Sequence, residues 1–260
     1  MSLQGKVIVI TGAARGIGFA TAKLAASRGA KPVICDLDPD RVEAASRSIQ
    51  EEGGDALGVV GDVSSASSVA QNVDDIIAWG ERIDVLVNNA AAPALERPDR
   101  LSEAHWRREL DVCLTGSFLW SQRAAVRSMI PRRTGAIINV GSGASFTAIP
   151  SSASYVAAKH GVVGLTRALA IDWAQYGIRV NCICPGHTWT DLAKEIIEAD
   201  PERMRQPLEG IPLGRGAQPE DIADAILFLA SDEASAITGV ALPVDNGVLA
   251  LSSGYAPPKS

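Results

Sequence analysis

Val7-Ile8-Val9-Ile10 is apolar at every position, and Thr11-Gly12-Ala13-Ala14-Arg15-Gly16-Ile17-Gly18 follows it directly. A strand with one wet face alternates polar and apolar residues. A strand that is apolar throughout needs cover on both faces, as in a parallel sheet with helices on each side. The rhythm then repeats. Strand-like runs are predicted at 6–11, 33–36, 56–61, 85–88, 136–140, 178–183 and 239–244. Helical spacing is predicted at 17–28, 40–52, 67–79, 102 to about 129 with Ser102 and Glu103 as N-terminal cap, and 152 to about 175. Alternating strand and helix imply right-handed crossovers. The expected fold is α/β: a single-domain Rossmann fold over 1–260, with a doubly wound seven-stranded parallel sheet and helices on both faces. One stretch breaks the rhythm. Residues 187–218 hold Pro201, Pro207, Pro212, Gly210, Gly214 and Gly216 around one short helical segment, and read as a lid, a binding loop or a surface excursion.

The glycine turn carries the first chemical inference. Its glycines allow positive φ and close backbone approach, and the helix that follows offers free N–H groups and a partial positive charge to a pyrophosphate. Strand, glycine turn and helix in that order point to a dinucleotide, with Gly12, Arg15, Gly16, Ile17 and Gly18 around its phosphates. Asp36 ends the second strand, 18 residues after Gly18. An acid there accepts both hydroxyls of an adenosine ribose and repels a 2′-phosphate. Leu37 and Asp38, next in line, bring no guanidinium to neutralise one. The cofactor expected is NAD rather than NADP.

Among 260 residues, 24 Lys+Arg face 30 Asp+Glu, a net charge of −6. This gives no basic footprint for nucleic acid. No apolar run reaches the roughly 18 to 20 residues of a membrane span. The start, Met-Ser-Leu-Gln-Gly-Lys, leads straight into a strand, so no signal peptide is expected. Four cysteines make no disulfide framework, and Cys182 and Cys184, sharing one sheet face, read as buried thiols of a cytoplasmic protein. No Cys/His/carboxylate set has metal-ligand spacing, so no metal is expected.

Tyr155 and Lys159 are four apart on a predicted helix and share a face. An ammonium about 5 Å from a phenolate, at an effective dielectric of about 20, stabilises it by roughly 3 kcal/mol. That brings the phenol into range as a general acid or base near neutral pH. Ser142, just past the 136–140 strand, is placed to hold the oxygen that exchanges a proton with Tyr155.

The chain resembles a classical short-chain dehydrogenase/reductase over roughly residues 3 to 247. The resemblance is carried by Thr11–Gly18, Asp62-Val63, Asn88-Asn89-Ala90, Ser142, Tyr155 with Lys159, Asn181, Pro185-Gly186 and Thr190. It implies that Asp62 and Val63 border the adenine, that Asn88, Asn89 and Ala90 shape the cofactor floor, and that Lys159 reaches the nicotinamide ribose. It also implies that Pro185, Gly186, Thr188 and Thr190 hold the carboxamide and phosphates, and that the chain assembles as a homotetramer. Three positions depart from the family pattern. Ala91 stands where glycine is usual, and Asn246 stands in a closing Asp-Gly-Gly. Cys113 stands where the family has an asparagine whose backbone carbonyl holds a water linking Lys159 to solvent. A thiol is a weak hydrogen-bonding group. Activity is nonetheless expected to persist, because phenol, lysine and serine remain.

Pocket positions by the same resemblance are Pro93, Ala94, Ala144, Ser145, Ile149, His187, Trp189 and Leu192, mostly apolar or small. They suit an uncharged or weakly polar secondary alcohol or its ketone, with Ser142, Ala144, His187 and Trp189 nearest to it. His187 is read either as a hydrogen-bond partner of a polar substituent or as a solvent-facing lid residue, and Arg203 and Arg205 as anion contacts or a solvated face. His105 and His160 read as structural or exposed. The 248–260 tail, with Val248, Leu249 and Leu251, is expected to pack on a neighbouring subunit. The expected function is hydride transfer between NAD and a secondary alcohol or ketone. The alternatives are 3-oxoacyl-thioester reduction and, from another class, a catalytically weak NAD-binding regulator.

Overall fold

The computed structural model describes residues 3–93, 95–199 and 209–251. Seven strands make one parallel sheet: β1 (Val7–Thr11), β2 (Lys31–Asp36), β3 (Leu57–Val60), β4 (Val85–Asn88), β5 (Gly135–Val140), β6 (Ile178–Pro185) and β7 (Ala241–Val244), ordered β3-β2-β1-β4-β5-β6-β7. The chain builds outward from β1 through β2 and β3, then crosses back to lay β4 on the other side of β1. That reversal opens a crevice at the carboxyl ends of β1 and β4.

The unbroken apolar runs are covered on both faces, as expected. Ile8 and Ile10 belong to a core with Ala22 and Ala25 of α1 (Gly16–Ser27), Ile49 of α2 (Pro39–Glu51), and Ile222 and Ile226 of α9 (Pro219–Ala230). Val7 and Val9 belong to the opposite core with Val73 and Ile76 of α3 (Ala66–Gly80), Trp120 of α5 (Gly116–Ala124) and Leu169 of α7 (Ala153–Trp173).

The structure adds two features to the sequence reading. Helix α9 was not anticipated. Pro219 occupies its first turn and Gln218 with Asp221 forms a capping box. The predicted 102–129 helix is a longer rod: α4 (Glu103–Leu110), a π-helical turn at Asp111–Thr115, α5, a second π-helical turn at Ala125–Met129, and α6 (Ile130–Arg132). Ser102 caps it by accepting from the His105 amide at 3.2 Å, as its sequence suggested.

The 187–218 excursion is pinned at its base. The Trp189 amide donates to the Ala217 carbonyl at 2.9 Å and the Ala217 amide to the His187 carbonyl at 2.8 Å. Between these ends lies α8 (Asp191–Ala199). Ala94, Arg203, Arg205, Pro201, Pro207 and the tail from 252 onward lie outside the described residues, as does the side chain of Leu192. Asn246 adopts φ 57°, the left-handed conformation that asparagine tolerates in place of glycine. Among the described residues no helix is long and apolar enough to cross a membrane, and no three metal-ligating side chains converge.

Candidate active site

A cavity of about 800 Å³ opens at the carboxyl ends of the central strands, large among ligand sites. Every residue expected to hold or floor the cofactor lines it except Gly18 and Asn88. Gly18 acts behind the wall. A β carbon there would lie 2.4 Å from the Gly12 carbonyl oxygen and 2.8 Å from the Ala13 Cα, so only glycine lets α1 start this close to the turn. Gly12 itself has φ 63°, and its α carbon faces Ala90 so closely that a β carbon would come within 2.8 Å of the Ala90 Cα. No side chain caps the N-terminus of α1, which leaves its amide end facing the cavity. The turn thus fits a pyrophosphate on steric and electrostatic grounds.

The floor under that turn is a hydrogen-bonded lattice. Thr11 Oγ1 accepts from the amides of Asn89 (3.0 Å) and Ala90 (3.1 Å), while Asn89 Nδ2 donates to the carbonyls of Thr11 and Gly12, both at 2.9 Å. Deeper, Asn88 Nδ2 donates to Asn139 Oδ1 at 2.8 Å, and Asn139 Nδ2 to Thr166 Oγ1 at 2.9 Å, tying β4 through β5 to α7. Ala91, in place of the expected glycine, sits in the cavity wall without disturbing this lattice.

Asp36 lies at the end of β2 and is held by both oxygens. Oδ2 accepts from the Ala14 amide at 3.1 Å and Oδ1 from the Leu37 amide at 2.8 Å. Its carboxylate is therefore fixed against the glycine turn. Asp62 accepts from the Ser64 hydroxyl and amide, at 2.6 and 2.9 Å. Those bonds, with the nearby Arg108 guanidinium, hold its carboxyl below the usual carboxylate range against the opposing effect of burial.

At the other end of the cavity stand Ser142, Tyr155 and Lys159. Lys159 is 2% exposed; its Nζ donates to the Val140 carbonyl at 2.7 Å and sits 5.6 Å from the centre of the Tyr155 ring. Burial pushes the Lys159 pKa down, but Tyr155, Cys113, Cys182 and Cys184 push it up by more, so the amine keeps its proton. Ser142 caps a short turn, accepting from the Ala144 amide at 3.1 Å. Ser145 braces that turn against α7: its Oγ accepts from the Ser142 amide at 3.2 Å and donates to the Lys159 carbonyl at 2.9 Å. His187 and Trp189 line the same end, and burial lowers the His187 pKa, leaving a neutral imidazole at pH 7.

Some expected pocket residues lie elsewhere. Ala144 is 1% exposed and outside the cavity wall, because its turn folds the side chain into the core, and Ile149 is exposed away from it. Cys113 is buried beside Lys159, in the first π-helical turn, with its carbonyl accepting from Ser117 Oγ at 2.7 Å. The Ser117 hydroxyl thus already engages the carbonyl that the resemblance assigns to a water. His105 and His160 are exposed on helices. Sequence reasoning missed one wall: Ala104, Arg107, Arg108, Asp111 and Val112 face the cavity from the α4 rod. Their spacing of three, one, three and one is a helical stripe, visible in the sequence once that helix is assumed to border the site.

The family model described as "Enoyl-(Acyl carrier protein) reductase" matches residues 12–249. Cis-4-hydroxycyclohexanecarboxylate dehydrogenase of Sinomonas cyclohexanicum is 42% identical over 248 residues, 95% of this chain and 97% of that protein. The structure of an NAD+-bound xylitol dehydrogenase superposes with a TM-score of 0.91 at 31% identity, covering 95% of this chain and 100% of that one. A candidate NAD(P)-dependent gluconate 5-dehydrogenase from Beutenbergia cavernae, with NADP bound at low occupancy, superposes at 0.90 with 39% identity, covering 96% and 99%. With this cavity, sheet order and set of matches, the chain is an oxidoreductase acting on alcohols or ketones with a nicotinamide cofactor, and it belongs to the classical short-chain dehydrogenase/reductase family.

Proposed function

We propose that the chain is an NAD-dependent dehydrogenase of secondary alcohols, or reductase of the matching ketones, with Tyr155 as the proton-transfer group. The observation that carries this reading is the buried Lys159 ammonium 5.6 Å from the Tyr155 ring, in one cavity with Ser142. NAD, when bound, supplies the hydride acceptor or donor. The glycine turn and the α1 amides hold its pyrophosphate, Asp36 accepts from the adenosine ribose hydroxyls, and Asp62 and Val63 border the adenine. The Pro185–Thr190 segment holds the nicotinamide end.

The Ser142 hydroxyl donates to the substrate oxygen and orients it. In the oxidative direction the Tyr155 phenolate takes the hydroxyl proton as the carbon–hydrogen bond breaks; in reduction the phenol returns it. Lys159 stabilises the phenolate and reaches the nicotinamide ribose. His187, neutral, and Trp189 border the substituents of the substrate. Turnover of NAD with a panel of secondary alcohols, sugars and cyclic diols tests the reading. No NADH from any of them, in either direction, overturns it.

A second cofactor reading has two observations in its favour: Arg15 lines the same cavity as Asp36, and a related structure carries NADP. We favour NAD because Asp36 is fixed in place and Leu37 brings no positive charge. The same choice separates this function from 3-oxoacyl-thioester reduction, which draws on NADP. The four free cysteines favour a reducing, cytoplasmic setting. Exposed Phe118, Val126 and Ile171 on α5, the adjoining π-turn and α7 favour an assembly, which we assign as a homotetramer, and light scattering measures it directly.

A further inference from the structure

Glu109 is 1% exposed in the last turn of α4, yet the proposed chemistry makes no use of it. It is not in the cavity wall. Its Oε2 accepts a hydrogen bond from Ser154 Oγ, which is equally buried and immediately precedes Tyr155. A carboxylate is costly to bury, and an apolar side chain at this helix contact would pack at lower cost. What the polar pair adds is direction: a hydroxyl bonded to a charged acceptor fixes both the separation and the rotation of the helices that carry them.

The place where this happens is informative. Two residues after Glu109 the rod enters the π-helical turn that carries Cys113, beside Lys159. On the α7 side, the start of the helix is held from outside as well. The Glu96 amide donates to the Ser151 carbonyl at 2.9 Å, and Ser151 has φ 59°. The approach to α7 at Ser151 is therefore held by Glu96, and its first turn, at Ser154, by Glu109.

We propose that Glu109 is a positioning residue. Through Ser154 it sets the rotation of the first turn of α7 and so places the Tyr155 hydroxyl toward Ser142 and the substrate oxygen. This rests on the reading of Tyr155 as the proton-transfer group.

The test uses Ser154→Ala, Glu109→Ala and Glu109→Gln in the full chain. An amide oxygen still accepts from Ser154, so Glu109→Gln is the conservative rescue. Losing a hydrogen bond to a charged acceptor corresponds to roughly tenfold. Ser154→Ala should lower kcat by about that factor while KM for NAD holds, Glu109→Ala by at least as much, and their combination should be no worse than Glu109→Ala alone. Glu109→Gln should keep most of kcat. The chain has three tyrosines, so carbon-13 labelling of the tyrosine rings gives a readout independent of turnover. The Tyr155 signal should broaden in Ser154→Ala and stay sharp in Glu109→Gln. If Glu109→Ala does not fold, Ser154→Ala, which removes one oxygen, carries the test. Unchanged kcat and an unchanged Tyr155 signal in Ser154→Ala would overturn the proposal, as would Glu109→Gln falling as far as Glu109→Ala. A wild-type protein silent with every alcohol would instead refute the proposed function, and the tyrosine signal would still decide this inference.

Discussion

Replacing Asp36 by asparagine should shift cofactor choice by a calculable amount. The carboxylate is held by the Ala14 and Leu37 amides and cannot swing away from a ligand at the end of β2. A unit charge on a 2′-phosphate about 6 Å from it, at an effective dielectric of about 20, is repelled by roughly 3 kcal/mol. Converted at 1.36 kcal/mol per decade, that is about two orders of magnitude against NADP. Asparagine removes the charge but retains one acceptor oxygen, so one of the two amides loses its partner. NAD should then bind about tenfold more weakly, because a ribose hydroxyl loses a charged acceptor. The ratio of kcat/KM for NAD over NADP should therefore fall by roughly 10² to 10³ in Asp36→Asn. Initial rates with each cofactor, at fixed ionic strength, measure it. A wild-type enzyme that already prefers NADP, or a ratio that moves less than about fivefold, would refute the reasoning and give the decisive role to the Arg15 guanidinium.

Other substitutions probe neighbouring parts of the account. Cys113→Ala and Cys113→Asn should both retain turnover within a few-fold, because the carbonyl at 113 belongs to the backbone and keeps Ser117 as partner whatever the side chain; loss of chemistry in Cys113→Ala with NAD binding intact would make the thiol essential. Gly18→Ala places a methyl 2.4 Å from the Gly12 oxygen and should cost about 1 to 3 kcal/mol, read as a lower Tm and weaker NAD binding. His187 has a pKa lowered from 6.5 by burial, so the unfolded chain takes up its proton first as pH falls. Stability attributable to it is complete above pH 6.5 and drains as pH drops from there toward the folded value. Urea midpoints at pH 7.5 and 5.5 should therefore differ less in His187→Gln than in wild type.

The inner strands could be read in the sequence because a buried parallel strand leaves an apolar run, Val7–Ile10 the clearest of them, whereas the edge strands β3 and β7 are mostly half-exposed and showed only as short apolar runs between turns. Their bounds drifted by up to two residues where polar or proline residues still pair, as at Lys31 and Pro185. Helix α9 was missed although its buried residues Ile222, Ala223, Ile226, Leu227, Leu229 and Ala230 recur at helical spacing, because the prolines and glycines just before it read as a continuing loop. The π-helical turns at Asp111–Thr115 and Ala125–Met129 leave no signature in the spacing of apolar residues. For the site, the glycine turn, Asp36, Tyr155 and Lys159 were legible because their chemistry depends on short spacings along the chain. Glu109 with Ser154, 45 residues apart, and the Arg108 wall depend on tertiary contact, which no local pattern records.

The central claim is that Tyr155 moves the proton of a secondary alcohol while a nicotinamide takes the hydride. The most direct measurement is the rate of NADH formation by wild type and by Tyr155→Phe on the best alcohol of the panel, with NAD affinity measured in parallel. The account predicts a loss in kcat of about 10² to 10⁴ with NAD binding essentially unchanged. Tyr155→Phe turning over at the wild-type rate would contradict it.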